Sequence, residues 1–189
     1  MRHIVIFASG SGSNAQQIAE YFSNSEAARV VMVYSNRADA YVLQRAYKMN
    51  IPTVVFDNAD FYEHDIILDQ LKNLNPDLII LAGFLWKVPK KIVNAFPKKI
   101  VNIHPALLPK YGGKGMYGDY VHRSVIENGE KESGITIHYV NDNYDEGAII
   151  LQATCRVDDS DTPETLAEKI HQLEHKYYPK AIEQVLTRY

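Results

Sequence analysis

A carboxamide and an imidazole stand two residues apart in Val101-Asn102-Ile103-His104-Pro105. In an extended strand, residues i and i+2 project to the same face, so Asn102 and His104 share one side. The amide can donate to a developing oxyanion, and the imidazole can give a proton to it or take one away. Pro105 stops the strand and sets His104 at its rim. Asp145, in the turn Asn143-Tyr144-Asp145-Glu146-Gly147, can supply a carboxylate that keeps His104 protonated by favouring its charged form. The competing reading is one satisfied polar pair with no chemistry.

A second candidate is the turn Ala8-Ser9-Gly10-Ser11-Gly12-Ser13-Asn14-Ala15. Glycines let a backbone approach an anion closely, and the free N–H groups opening the next helix favour a phosphate there. The turn also fits the dinucleotide fingerprint G-x-G-x-x-A, which calls for Asp or Glu near the end of the second strand. Ser35-Asn36-Arg37 stands there instead. Arg37 could meet a 2′-phosphate, so a non-catalytic NADP-binding module stays open beside phosphate binding and beside a tight turn with no ligand.

Other motifs point less far. Gly112-Gly113-Lys114-Gly115 lacks the first glycine and the Ser or Thr of a phosphate-binding P-loop. His171-Gln172-Leu173-Glu174-His175 satisfies the H-x-x-E-H zinc pattern, yet a metal needs a third ligand, and the expectation is an ordinary helix surface with no metal. Cys155 alternates in step with Ile149, Leu151, Ala153 and Val157, which predicts a packed, unreactive thiol. Phe84, Trp86 and Lys87 follow the fourth strand, where the carboxyl ends of α/β sheets line ligand crevices. Trp86 can line a flat-ring pocket there or simply pack.

These residues need a scaffold, and the pattern supplies one. Apolar runs at 4–8, 30–34, 53–56, 78–82 and 100–103 read as strands buried on both faces. Helix candidates at 14–23, 39–48, 60–73 and 89–95 separate them, with Asp60 and Glu63 as a capping box and Pro89 in a first turn. Residues 105–118 hold two prolines and four glycines and form a long loop of the kind that is usually functional. A helix at 119–128 ends at Asn128-Gly129. The alternating segment 134–140 and the strand 148–157 then read as an antiparallel addition, with Ile135, Ile137 and Tyr139 opposite Thr136 and His138. Thr162-Pro163-Glu164 opens a helix to about 186, with Leu166, Ile170, Leu173 and Tyr177 at helical spacing. The fold class is α/β: a single-domain, Rossmann-like, mostly parallel sheet with an antiparallel C-terminal addition and a long C-terminal helix.

Composition narrows the classes. At 189 residues one core suffices, and the single cysteine excludes a disulfide framework and suggests a reducing compartment. A net charge of −3, from 20 basic against 23 acidic residues, offers no general field for nucleic acid. The local cluster of Lys87, Lys90, Lys91, Lys98 and Lys99 reads as a solvated face. No run approaches membrane-spanning length and no cleavage pattern follows Met1-Arg2-His3, so the expectation is a cytoplasmic protein with no membrane partner. Nothing in the composition sets an oligomeric state.

Four fragments in order carry a resemblance. Gly10-Ser11-Gly12-Ser13-Asn14, Leu81-Ala82-Gly83-Phe84, Asn102-Ile103-His104-Pro105-Ala106-Leu107-Leu108-Pro109, and Gly134-Ile135-Thr136-Ile137-His138 leading to Asp145-Glu146-Gly147 together resemble the phosphoribosylglycinamide formyltransferases of purine biosynthesis. The resemblance covers nearly the whole chain. It implies transfer of a formyl group from 10-formyltetrahydrofolate, a co-substrate, to the amine of glycinamide ribonucleotide, without a metal. It implies catalysis by Asn102, His104 and Asp145, with Asp145 raising the His104 pKa. It further implies substrate phosphate at Gly12, Ser13 and Asn14, and ribose at Glu174. Folate would lie along Leu85, Trp86, Lys87 and Val88, Asn102, and Asn141, Asp142, Asn143, Tyr144 and Asp145. On this reading an N-terminal phosphate-binding half, about 1–100, precedes a catalytic and folate half, about 101–189.

The sequence departs from that family in its longer, glycine-rich 112–120 loop, in Trp86-Lys87 where an Arg-aliphatic pair is usual, and in His171 on the substrate side of the last helix. Near Glu63-His64 it lacks an arginine often found there. His138 matches a family histidine. Methionyl-tRNA formyltransferase and formyltetrahydrofolate hydrolase share the core but carry additional domains, for which this chain is expected to be too short. A sugar N-formyltransferase acting on a nucleotide-linked amino sugar is the alternative within the same chemistry.

Overall fold

The computed structural model describes residues 1–188. Its strands are β1 (Arg2–Phe7), β2 (Ala28–Ser35), β3 (Thr53–Val55), β4 (Leu78–Leu81), β5 (Ile100–His104), β6 (Glu132–Tyr139) and β7 (Ile149–Arg156). They form one seven-stranded sheet in the order β3-β2-β1-β4-β5-β6-β7. β1 pairs in parallel with both β2 and β4, and β6 pairs antiparallel with β7. The apolar runs are continuous because the central strands bury both faces: all of Leu78–Leu81 is buried, as are Ile4, Val5, Ile6 and Phe7. The helices are α1 (Ser13–Phe22), α2 (Tyr41–Lys48), α3 (Ile66–Leu74), α4 (Lys90–Ala95), α5 (Asp119–Glu127) and α6 (Pro163–Thr187). The chain forms two compact units, one of Met1–Val101 with the chain from Val185, the other of Asn102–Gln184.

In the first unit the chain runs outward from β1 to β3 and returns to β4 on the other side of β1. That reversal makes the carboxyl ends of β1 and β4 the topological switch point, where loops diverge and leave a crevice. α1 buries Ala15, Ile18, Ala19 and Phe22, a single face at helical spacing. The expected helix over 60–73 is two pieces. A π-helical turn, Ala59–Glu63, comes first, His64 is extended, and α3 starts at Ile66. Asp57 and Asp60 accept from each other's backbone N–H at 2.9 and 3.3 Å, so the reciprocal cap closes on Asp57 rather than on Glu63. The break coincides with burial of Phe61 against Phe7, Phe56 and Phe84.

In the second unit α5 ends at Asn128 and Gly129, the latter at φ 64, as the sequence predicts. Gly147 closes the loop between β6 and β7, and a Cβ there would lie 1.6 Å from the Tyr139 carbonyl oxygen, so no other residue fits. Thr162 and Thr165 cap the start of α6 reciprocally at 2.9 and 3.3 Å. The buried stripe of α6 runs Leu166, Ile170, Glu174, Tyr178, Ile182 rather than through Leu173 and Tyr177. Cys155 is half-buried, not packed in the core, because β7 is an edge strand. Burial still pushes its thiol pKa up and holds it as the weakly nucleophilic thiol.

Candidate active site

The first turn is shaped by one residue. Gly12 caps α1 at φ 74, a left-handed conformation that disfavours side chains, and a Cβ there would meet Val42 Cγ2 at 2.4 Å. Val42 N–H donates to the Gly10 carbonyl at 3.1 Å, fixing α2 against the turn. Arg45 donates to the Ser11 carbonyl at 2.8 Å and to the Gln16 side chain. The first turn of α1 holds no acidic residue, so the helix itself supplies no carboxylate to compete with an anionic ligand. Ser13 and Asn14, at the head of that helix, are half-buried.

Further along the same unit, residues 85–88 leave the end of β4. Leu85 and Lys87 are exposed, Trp86 is half-buried and Val88 is buried. Trp86 packs on Phe56, Phe61 and Tyr62, with ring centroids 6.0, 6.1 and 5.9 Å away. It is therefore both packed and partly open, so the two readings of it combine.

The second unit gathers the polar groups. His104 is the last residue of β5, at its rim as the sequence predicts, and is nevertheless only 4% exposed. Its Nδ1 is 3.6 Å from Asp145 Oδ2. On the other side of the carboxylate, Asp145 Oδ1 is 3.6 Å from Nε2 of His138, which is 2% exposed. Asn102 Nδ2 is 3.2 Å from the same His138 Nε2. Asn102, His104, His138 and Asp145 thus form one cluster, from three segments.

Partner chemistry assigns the tautomers. The Tyr139 carbonyl can only accept, so His138 Nδ1 donates to it at 2.9 Å, and Nε2 lies between the Asn102 amide at 3.2 Å and Asp145 Oδ1 at 3.6 Å. The Tyr111 carbonyl likewise accepts from His104 Nε2 at 2.6 Å. Gly113 N–H donates to Asp145 Oδ2 at 2.9 Å. The 105–118 loop therefore occupies a polar atom on both His104 and Asp145. Lys110 and the Tyr111 hydroxyl each donate to Glu130 Oε1 at 2.9 Å and hold this part of the loop.

Two effects act on His104 in opposite directions. Burial lowers the His104 pKa, and the nearby Asp145 carboxylate and Tyr111 carbonyl only partly oppose it. The carboxylate thus acts on His104 in the direction the sequence predicts, and burial outweighs it. Burial pushes Asp145 upward, but its contact with His138, the neighbouring His104 and the Gly113 N–H outweigh it, so its pKa is lowered and the carboxylate stays ionised.

Sequence reasoning passed over the support. Thr136 Oγ1 donates to the Ala106 carbonyl at 2.7 Å and accepts from Leu108 N–H at 3.0 Å and Gln152 Nε2 at 2.9 Å. Gln152 also donates to the Leu108 carbonyl at 3.0 Å. Thr136 and Gln152 are register partners on β6 and β7. The signal was the polar face of the alternating 134–140 segment. The Tyr111 carbonyl, a backbone atom, had none.

Asn141, Asp142, Asn143 and Tyr144 are exposed on the loop leading to Asp145. Asn143 N–H donates to Asn141 Oδ1 at 2.9 Å. Glu174 is buried on α6, one turn before Tyr178, whose hydroxyl pKa burial and that carboxylate push well up. His171 and His175 stack at 6.4 Å, and among the described residues no three His, Cys, Asp or Glu side chains gather as a metal requires. No helix among the described residues is long and apolar enough to cross a membrane.

Residues 2–182 match the family described as formyl transferase. The chain belongs to the formyl transferase family. Its similarity extends to the phosphoribosylglycinamide formyltransferase of Arabidopsis thaliana chloroplasts, 41% identical over 187 residues, which are 96% of this chain and 64% of that protein. The chain thus spans less than two-thirds of that plant relative. The phosphoribosylglycinamide formyltransferase of Escherichia coli K12 is 36% identical over 95% of this chain and 85% of its own length. The crystal structure of the phosphoribosylglycinamide formyltransferase of Anaplasma phagocytophilum superimposes with a TM-score of 0.90 at 35% identity, covering 99% of this chain and 88% of that one. That crystal structure thus shares the fold described above.

Proposed function

We propose that this formyl transferase moves the formyl group of 10-formyltetrahydrofolate to the amine of glycinamide ribonucleotide. The observation that carries the reading is the Asn102-His104-His138-Asp145 cluster, with both histidines buried, in a member of this family. The names of the relatives support the choice of acceptor and the place in purine biosynthesis.

The neutral amine attacks the formyl carbon, and the carbonyl π electrons move onto oxygen. That oxyanion takes the His104 Nε2–H, displacing the Tyr111 carbonyl, and accepts from the Asn102 amide. Asp145, held ionised, stabilises the ammonium formed on the attacking nitrogen and guides its proton toward folate N10. The C–N10 bond then breaks, returning electrons to the carbonyl and leaving formylated acceptor and tetrahydrofolate. His104 acts as a neutral donor throughout, so no imidazolium is needed. Positioning and oxyanion stabilisation carry the step, and one such donor is worth about 10²–10³ in rate.

The glycine turn receives a phosphate at Gly12, Ser13 and Asn14. Residues 85–88 and the loop 141–145 receive the folate, and Glu174 a ribose hydroxyl. The NADP alternative depends on Arg37, which is already bound by two contacts to Asp39, at 3.1 and 2.9 Å. A coupled assay that follows tetrahydrofolate release tests the reading: turnover with glycinamide ribonucleotide is expected, and activity confined to a nucleotide-linked amino sugar would refute it.

A further inference from the structure

The backbone of the 85–88 segment is held by side chains outside it. Ser9 is 1% exposed and follows the end of β1. Its backbone N–H donates to the Gly83 carbonyl at 3.0 Å, and its hydroxyl accepts from Leu85 N–H at 2.9 Å. The same hydroxyl donates to Asn36 Oδ1 at 2.7 Å, which fixes the direction of its lone pairs. One serine therefore grips the chain on both sides of Phe84. Two residues beyond Leu85, the Tyr62 hydroxyl donates to the Lys87 carbonyl at 2.8 Å. Trp86 lies between the two anchors.

We propose that Ser9 and Tyr62 are positioning residues that set the backbone of residues 85–88, and through it the affinity for the formyl donor, without touching the ligand. The kinetic side of this inference rests on the function proposed above; the structural side does not. Leu85 N–H loses the acceptor held by the buried Ser9 if that hydroxyl is removed. The segment then relaxes at its first residue, while the Tyr62 anchor limits the release at its third.

Two variants and two readouts test it. Trp86 is the sole tryptophan, so acrylamide quenching of its fluorescence reports on this segment alone. In Ser9→Ala the quenching constant is expected to rise about two-fold and the KM for 10-formyltetrahydrofolate about ten-fold, with kcat within about three-fold of the parent. Tyr62→Phe, which keeps the ring contacts and removes only the hydroxyl, is expected to show the same pattern more weakly. It decides the matter if circular dichroism shows Ser9→Ala unfolded. Unchanged quenching in the folded variants overturns the anchoring. Raised quenching with an unchanged donor KM overturns the link to affinity. A parent enzyme that transfers no formyl group, with variants that still release Trp86, refutes the function and leaves the anchoring standing.

Discussion

The glycine turn after β1 and the polar cluster after β5 are built in opposite ways. The turn is consecutive residues, and its chemistry comes from backbone N–H groups placed by one left-handed glycine packed against Val42. The cluster draws side chains from β5, β6 and the 141–147 loop, and its chemistry comes from burial. An anion cradle tolerates change in side chains and fails when its backbone shifts. A buried donor set tolerates small backbone movement and fails when one polar group loses its partner.

The largest effects are expected in the cluster. His104→Ala and Asp145→Asn should each lower kcat by about 10²–10⁴ with little change in either KM, read by steady-state and single-turnover kinetics. A loss confined to KM would make these residues part of the binding surface, like the turn. For the turn the split should reverse. Gly12→Ala meets both the φ of 74 and the Val42 side chain, so it should raise the KM for glycinamide ribonucleotide by about ten-fold or more and affect kcat less.

A third expectation concerns pH and stability. Burial lowers the pKa of His104, and burial with the nearby His171 lowers that of His122, whose Nδ1 has no hydrogen-bond partner. The unfolded chain therefore binds more protons than the folded one as pH falls through the ordinary histidine value of about 6.5. Stability from these two groups is present above that pH and lost below it, so the thermal midpoint should fall between pH 7 and 5.5. His122→Gln should flatten that slope. Asp145, with its lowered pKa, acts in a separate window, losing its contribution only as pH falls below the ordinary carboxylate range. The smallest effect belongs to the loop: Glu130→Gln weakens the hold on Lys110 and Tyr111 and should change kcat by no more than about three-fold, because both contacts are near the surface.

What the sequence made legible follows the same division. The strands could be read from apolar runs, and the glycine turn from its own residues, because both are local. The placement of Asn102 beside His104 needed only strand geometry. Asp145 reaching that pair needed the 141–147 loop to fold back, which the four-fragment resemblance suggested and periodicity could not. The pull of Asp145 on His104 was visible in the motif, whereas the larger, opposite effect of burial to 4% exposure is a property of the fold. Cys155 was misplaced for a related reason: alternation marks a face but not whether a strand lies at the sheet edge. The break at His64 had no apolar signature, since Ile67, Leu68 and Leu71 continue the helical pattern beyond it.

The claim on which the mechanism depends is that His104 offers a neutral Nε2–H from a buried position. Nitrogen-15 NMR of histidine-labelled enzyme measures this directly. A His104 resonance showing protonated Nε2 and bare Nδ1 at pH 7, titrating below the ordinary histidine value, is the expected result; an imidazolium at pH 7, titrating above that value, would contradict it.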